Sequence, residues 1–160
     1  MALMRLAVPL MHTGAEIFVA TVDHRLRTAS AAEADFVLRE AAALGVGAVI
    51  LRWEGEKPVA GVQAAARAAR YRLLAAEAER IGSDAILTAH TADDQVETLL
   101  MRMAHRTGVR GLAGMAGESQ IANGCGPPQR LVRPLLGLHR ADLRNYLIKA
   151  GARFVDDPSN

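Results

Sequence analysis

Apolar residues along the chain follow two patterns that alternate from one end to the other. Short continuous runs that are rich in β-branched residues predict buried strands at 16–23, 46–51 and 84–89. Longer stretches with helical spacing predict helices at 1–11, 30–44, 61–81, 90–105 and 139–150. Strands that alternate with helices are typical of an α/β fold, in which crossover helices connect the parallel strands of a sheet.

The remaining segments predict a loop and one further strand. Residues 107–129 are rich in glycine and contain Pro127 and Pro128, so we expect a long functional loop there. Residues 131–136 predict a short strand. The chain has 160 residues, which is enough for one domain with a substantial core, and no internal repeat divides it. We therefore expect a single domain over residues 1–160.

The segment 87–98 carries the strongest chemical signal. An apolar strand ends in His90, and a helix with Asp93, Asp94 and Glu97 begins at once. At 100° per residue, His90, Asp94 and Glu97 fall within about 60° of one another on a helical wheel. The opposite face is apolar and is predicted to pack against the core; it consists of Val96, Leu99, Leu100 and Met103.

The polar face of this helix lies at the carboxyl end of a strand, where an open α/β sheet binds its ligands. Carboxylates in that place suit a metal-bound polyphosphate, because they hold Mg²⁺ directly or through its waters. The alternative is structural, since acidic residues in the first turn favour the positive end of the helix dipole. Taken alone, Asp93 and Asp94 are equally typical of a metal site and of an ordinary helix start.

Two other groups of polar residues are candidates for binding. One follows the first strand at its carboxyl end, where it can contact a nucleotide or a nucleic-acid backbone; it consists of Asp23, His24, Arg25, Leu26 and Arg27. The other lies on the helix at 61–81 and can reach a phosphate; it consists of Arg67, Arg70, Tyr71 and Leu74. A solvated loop and an exposed helix face are the plain alternatives.

Composition restricts the class of protein. Apolar residues make up 51% and charged residues 22%, as in ordinary globular domains, and no apolar stretch is long enough to span a bilayer. The single cysteine, Cys125, excludes an internal disulfide and a cysteine-cluster metal site, which fits the cytoplasm. Only Lys57 and Lys149 of the 19 basic residues are lysine. This arginine bias suits phosphate contacts, but it also follows from genomic base composition.

Seven segments, in order and with sensible spacing, give the chain a family resemblance. They are residues 22–27, 53–58, 66–71, 87–98, 108–115, 133–136 and 156–160. With these segments the chain resembles the tRNA(Ile)-lysidine synthetases, which are members of the N-type ATP pyrophosphatase or PP-loop group. The resemblance implies a Rossmann-like PP-loop ATPase domain with a parallel sheet and crossover helices.

The resemblance also implies a reaction. In that family ATP adenylates the C2 carbonyl oxygen of the wobble cytidine in a tRNA(Ile) with a CAU anticodon, and pyrophosphate leaves. The ε-amine of L-lysine then attacks C2 and expels AMP, which leaves lysidine. ATP and Mg²⁺ are therefore the implied cofactors, and tRNA(Ile) and L-lysine the implied partners.

Individual residues acquire implied roles from the same resemblance. The implied magnesium ligands are Asp93, Asp94 and Glu97. The implied catalytic residues are Arg70, His90, Asp94 and Glu97. The implied ATP-binding residues are Asp23, His24, Arg67 and His90, and Arg67 joins Arg70 in stabilising the charge that builds during adenylyl transfer. Contacts with the tRNA are implied for Arg110 and Arg133.

The sequence departs from the family pattern in ways that matter for activity. The family's loop Ser-Gly-Gly-x-Asp-Ser, whose backbone amides cradle pyrophosphate, does not occur in these residues. We expect the chain to begin just after that loop, to end before an arginine-bearing segment that follows Asn160, and to be inactive alone. Thr91 stands where many relatives carry a second histidine.

The strand that precedes the family's phosphate loop is also expected to be missing. The family places it centrally, between the strands at 18–23 and 85–89. Three arrangements remain open at that position: a gap, a substitute strand, or a strand from a partner chain in a homodimer.

Two other functions also remain open. One is a PP-loop enzyme of the tRNA 2-thiolation type, against which the lone cysteine argues, and the other is a non-catalytic nucleotide- or RNA-binding remnant.

Overall fold

Helices and strands alternate along the first two thirds of the chain, and a strand hairpin and a last helix follow them. The computed structural model describes residues 1–27, 30–104, 113–123 and 126–155. The helices are α1 (Ala2–Ala7), α2 (Ser30–Ala43), α3 (Val62–Ile81), α4 (Ala92–Ala104) and α5 (Arg140–Lys149), with a 3-10 helix at Val8–Thr13. The strands are β1 (Phe18–Asp23), β2 (Gly47–Arg52), β3 (Ile86–Leu87), β4 (Glu118–Asn123) and β5 (Gly126–Val132). The predicted α/β class is confirmed.

The strands form two separate sheets. β1 and β2 pair in parallel, from Phe18 opposite Gly47 to Asp23 opposite Arg52. β3 pairs in parallel with β5, and β4 pairs with the other edge of β5 in antiparallel orientation. Within the described ranges no strand lies between β1 and β3. The described residues therefore supply no substitute strand at that position, and a strand from a partner chain stays a prediction.

The strand hairpin β4–β5 corrects the prediction of a loop over 107–129. Residues 118–123 are mostly polar, so no apolar run marks them, and pairing with β5 makes them a strand. Pro127 and Pro128 fall where the pairing between Ile121 and Asn123 is irregular, so their missing N–H groups interrupt no regular ladder. Residues 105–112 and 124–125 lie outside the described part of the chain.

Three other predicted bounds also differ from the structure. The first helix ends at Ala7 and continues as a 3-10 helix, because Pro9 lacks an N–H group. The predicted strand at 84–89 is only Ile86–Leu87, and the strand predicted at 131–136 begins at Gly126 and ends at Val132. Turns follow Val132, so residues 133–136 are not a strand.

Helix α3 packs on both sheets. Its carboxyl-terminal half joins the core of the three-stranded sheet, where Ala78 packs with Ile86 and the fully buried Leu131. Its amino-terminal half packs through Ala66 and Ala69 on Trp53, which follows β2. Alanine side chains allow the helix to approach both surfaces closely. Gly82, with a φ of 68°, ends the helix in the left-handed conformation, as the sequence predicts.

Helix α4 does not pack as predicted. Val96, Leu100 and Met103 of its apolar face are 55%, 60% and 61% exposed, and the helix has no buried residue. The periodicity correctly predicted a helix, but the described ranges contain no element that covers this face. None of the helices in those ranges is both long and apolar enough to cross a lipid bilayer.

Replacing Leu131 with alanine should destabilise the domain through the core contact between α3 and β5. The side chain is fully buried, so its loss leaves a cavity, and we expect the free energy of unfolding to fall by about 2–5 kcal/mol. Urea denaturation measures the change. The control is Leu100→Ala, which should change stability by less than about 0.5 kcal/mol because Leu100 is exposed. Equal losses in the two variants would contradict the assigned core.

Candidate active site

Two histidines follow the carboxyl ends of parallel strands and share one basic neighbour. His24 follows β1, and His90 follows β3 after two residues. Arg70 of α3 contacts the first, and its charge also acts on the second. Helix α3 therefore brings together the two strand ends, which are 66 positions apart in the chain (90 − 24). The structure thus brings together three residues that the sequence offered as candidates in separate segments; their function stays a prediction.

The surroundings of His24 favour its neutral imidazole. The Arg70 guanidinium donates from Nε to His24 Nε2 at 3.4 Å, a contact that requires the tautomer with its proton on Nδ1. Nδ1 is buried and has no partner among the described residues. Burial lowers the pKa of His24, and the charge of Arg70 lowers it further. Trp53 packs edge-on against the ring, with the ring centroids 6.0 Å apart.

Sequence reasoning missed Trp53 and Lys57 as parts of this site. The Lys57 ammonium lies 3.9 Å from the Trp53 ring centroid, which is a cation–π contact, and it also donates to the Trp53 carbonyl oxygen. The only sequence signal was membership of the segment 53–58 in the family resemblance. These contacts hold the loop after β2 in place, with the Trp53 ring against the His24 ring.

His90 lies in a more basic environment than His24. Its Nδ1 is 3.0 Å from the Thr88 hydroxyl. Burial lowers the pKa of His90, and the charges of Arg133, Arg67 and Arg70 lower it further, whereas Asp94 raises it. His90 precedes α4 and lies in the connecting segment, so its predicted place on the helical wheel was wrong. The acidic helix begins only at Ala92 because Thr91 and Asp94 form its first turn.

Arg133 is buried, although the sequence assigned it to contacts with tRNA. Its side chain is 8% exposed, and Nη1 donates to the Ala116 carbonyl oxygen at 2.8 Å and to Ser119 Oγ at 3.0 Å. Its Nε is buried with no partner in the described ranges. The guanidinium therefore supports the segment before β4 and places its charge near His90. Arg110, the other predicted tRNA contact, lies outside the described residues.

Asp23 supports the turn that presents His24. Its Oδ1 accepts the Arg25 N–H at 2.9 Å and the Ser30 hydroxyl at 2.8 Å, and the residue is buried. The Arg25 N–H is the main reason that the pKa of Asp23 is lowered. Arg25 has a φ of 52°, which is uncommon for a residue other than glycine. The Asp23 carboxylate stabilises that turn.

The carboxylates of α4 contact an arginine that sequence reasoning missed. Asp94 Oδ2 accepts from the Thr91 N–H and hydroxyl, each at 2.6 Å, and Oδ1 accepts from Arg140 at 2.8 Å. Burial raises the pKa of Asp94, but these hydrogen bonds outweigh it and lower the pKa. Glu97 Oε1 also accepts from Arg140, at 3.1 Å. Arg140 is 46 residues from Asp94 in the chain, so no local pattern could have revealed the contact.

These contacts leave Mg²⁺ without a suitable arrangement of ligands. Among the described residues, no group of three or more acidic, histidine or cysteine side chains has the geometry to hold a metal ion. Both oxygens of Asp94 already accept hydrogen bonds, and a guanidinium lies where a cation would bind. The predicted role of Asp93, Asp94 and Glu97 as magnesium ligands does not fit this arrangement.

Arginines and imidazoles at the carboxyl ends of parallel strands are typical of α/β domains that bind phosphorylated ligands. The known family described as the PP-loop domain matches residues 1–160. A tRNA(Ile)-lysidine synthase from Rhodopseudomonas palustris is 49% identical over 92% of this chain and 41% of its own length. Another from Bradyrhizobium sp. is 48% identical over 100% of this chain and 44% of its own length. The chain belongs to the PP-loop family, and the predicted resemblance to lysidine synthetases is confirmed.

A solved structure supports the fold independently. The U34-tRNA thiolase NcsA from Methanococcus maripaludis, with its [4Fe-4S] cluster, aligns with 99% of this chain and 57% of its own chain at a TM-score of 0.74. Because the identity is 11%, the likeness concerns the fold alone. The present chain spans about two fifths of the length of the lysidine synthases named above.

Replacing His24 with glutamine tests whether its imidazole is neutral in the folded domain. The pKa of His24 is lowered on folding, so below its ordinary value the unfolded chain binds more protons than the folded chain. The free energy of unfolding should therefore decrease as the pH falls from about 7.5 to about 5, and His24→Gln should reduce this decrease. Denaturation at several pH values measures it.

The exposed His12 provides the matched control, because His12→Gln removes one imidazole from the 3-10 helix at Val8–Thr13. A pH dependence in His24→Gln that equals that of the wild type would contradict the assignment.

Proposed function

We propose that this chain is the nucleotide-binding part of an enzyme that makes lysidine in a CAU-anticodon tRNA(Ile) in the cytoplasm. The observation that carries the proposal is the contact of Arg70 with His24, in a chain that is 49% identical to a protein named tRNA(Ile)-lysidine synthase. Arg67 lies one helical turn before Arg70, and the charges of both act on His90. Such a group of cations suits a triphosphate.

In the proposed first step, the C2 carbonyl oxygen of the wobble cytidine attacks the α-phosphorus of ATP, and pyrophosphate leaves. Negative charge builds on the phosphate oxygens in the transition state, and the guanidinium groups of Arg67 and Arg70 would stabilise it. The buried charge of Arg133 adds to the same positive field.

In the proposed second step, the ε-amine of lysine attacks C2, the C2–O bond to the phosphate breaks, and AMP leaves. The attacking amine must lose protons as the new C–N bond forms. His90 is suited to accept one, because its lowered pKa keeps the imidazole neutral near pH 7.

Binding of ATP to the chain tests the role of Arg70. We expect Arg70→Ala to weaken ATP binding by about tenfold, because it removes a charged donor to the phosphates. Equilibrium dialysis with labelled ATP measures the dissociation constant. The control is Arg72→Ala, which removes an exposed arginine two positions away on the same helix and should leave binding unchanged. Equal effects of the two substitutions would contradict a specific role for Arg70.

A lysine incorporation assay tests the reaction itself. We expect the 160-residue chain to incorporate no labelled lysine into a tRNA(Ile) transcript with ATP, because the sequence contains no Ser-Gly-Gly-x-Asp-Ser loop. Clear turnover by the purified chain would contradict the need for that loop.

The DNA upstream of the Met1 codon separates the remaining alternatives. In-frame codons for a strand and a Ser-Gly-Gly-x-Asp-Ser loop would support the proposal, and the product of that longer frame should then incorporate lysine. A genuine start at Met1 would instead favour a non-catalytic nucleotide- or RNA-binding domain. In a functional longer product, Asp94→Ala should abolish the chemical activity, whereas in a binding module it would only weaken binding.

A further inference from the structure

Arg140 contacts all three carboxylates at the beginning of α4. Its backbone N–H donates to Asp93 Oδ2 at 2.8 Å, and its Nη2 atom lies 2.8 Å from Asp94 Oδ1 and 3.1 Å from Glu97 Oε1. We propose that Arg140 is a positioning residue that occupies the acidic group of α4 as its resident cation, so that a divalent cation binds there only by displacing it.

The ion pairs are partly shielded from water. The side chain of Arg140 is 34% exposed and that of Asp94 is 24% exposed. Attraction between opposite charges is stronger in such a place than on an open surface, and salt screens it less. One Nη2 atom bridges the two carboxylates, so Asp94 and Glu97 keep a fixed separation as long as Arg140 stays between them.

Each oxygen of Asp94 already has a donor, so the residue offers no free oxygen to a metal ion. Oδ2 accepts from Thr91 and completes the first turn of α4, and Oδ1 accepts from Arg140. A divalent cation would need to coordinate the same oxygens at about 2.0–2.6 Å, and its charge would repel the guanidinium. Metal and Arg140 are therefore alternative occupants.

The exchange would also affect helix α5. Arg140 is the first residue of α5, and the Asp93 carboxylate satisfies its N–H group at that end. The neighbouring Leu138 carbonyl accepts the N–H of Ala92, the first residue of α4. The two helix starts are thus held together by the Asp93 carboxylate and the Leu138 carbonyl, and a cation that displaced the Arg140 guanidinium would remove the further contacts with Asp94 and Glu97.

Titration with Mn²⁺ alone, followed by the electron paramagnetic resonance of the free ion, tests the proposal. We expect the wild-type chain to bind weakly. Arg140→Gln should bind at least about tenfold more tightly, since it leaves three carboxylates without their cation. Addition of Asp94→Asn to that variant should restore weak binding. Circular dichroism checks that each variant is folded.

The matched control removes the ion pair between Arg130 and Glu118, in which the arginine has a single carboxylate partner. Arg130→Gln leaves the exposed Glu118 alone, so it should not change Mn²⁺ affinity. If Arg140→Gln does not fold, Arg140→Lys keeps the charge but cannot bridge two carboxylates in the same way, and it should still bind Mn²⁺ at least about threefold more tightly than wild type.

An unchanged Mn²⁺ affinity in the folded Arg140 variant would overturn the proposal. Because the titration contains neither nucleotide nor tRNA, its outcome is independent of the proposed reaction, which the ATP-binding and lysine assays test.

Discussion

The packing of α3 across two unpaired sheets is the contact on which the rest of the site depends. β1 and β3 share no hydrogen bonds in the described part of the chain, so the sheets themselves do not fix the distance between His24 and His90. Ala66, Ala69 and Ala78 hold one rigid helix against both. Arg70 projects from the same helix, and its place between the two histidines is therefore as well defined as the packing of the alanines.

Charges of both signs act on His90. Burial lowers its pKa, and the charges of Arg133, Arg67 and Arg70 lower it further, which favours the neutral imidazole. Asp94 acts in the opposite direction, but its carboxylate and that of Glu97 are already paired with Arg140. The basic residues therefore have more influence on His90 than the acidic residues that follow it in the chain.

Local sequence patterns correctly predicted the elements whose formation depends mainly on neighbouring residues. The β-branched run before Asp23 became β1, and Gly82 ended α3 where predicted. The errors came from long-range contacts. The polar strand β4 forms only because β5 lies beside it, and Thr91 delays the start of α4, which removes His90 from the helix. Arg140 reaches the acidic residues from a distant segment, so periodicity identified the carboxylates and could not identify their partner.

The gap between the sheets affects how the protein associates with other molecules in solution. In a strand that is paired on one side only, alternate backbone groups bond to the neighbour and the others face outward. β1 is paired only with β2, and β3 only with β5, among the described residues. Exposed strand edges of this kind attract extended segments of other molecules, and natural proteins usually cover or shorten them. β3 has only two residues, which limits the hazard on its side, so of the two edges that border the gap β1 is the one more open to such pairing.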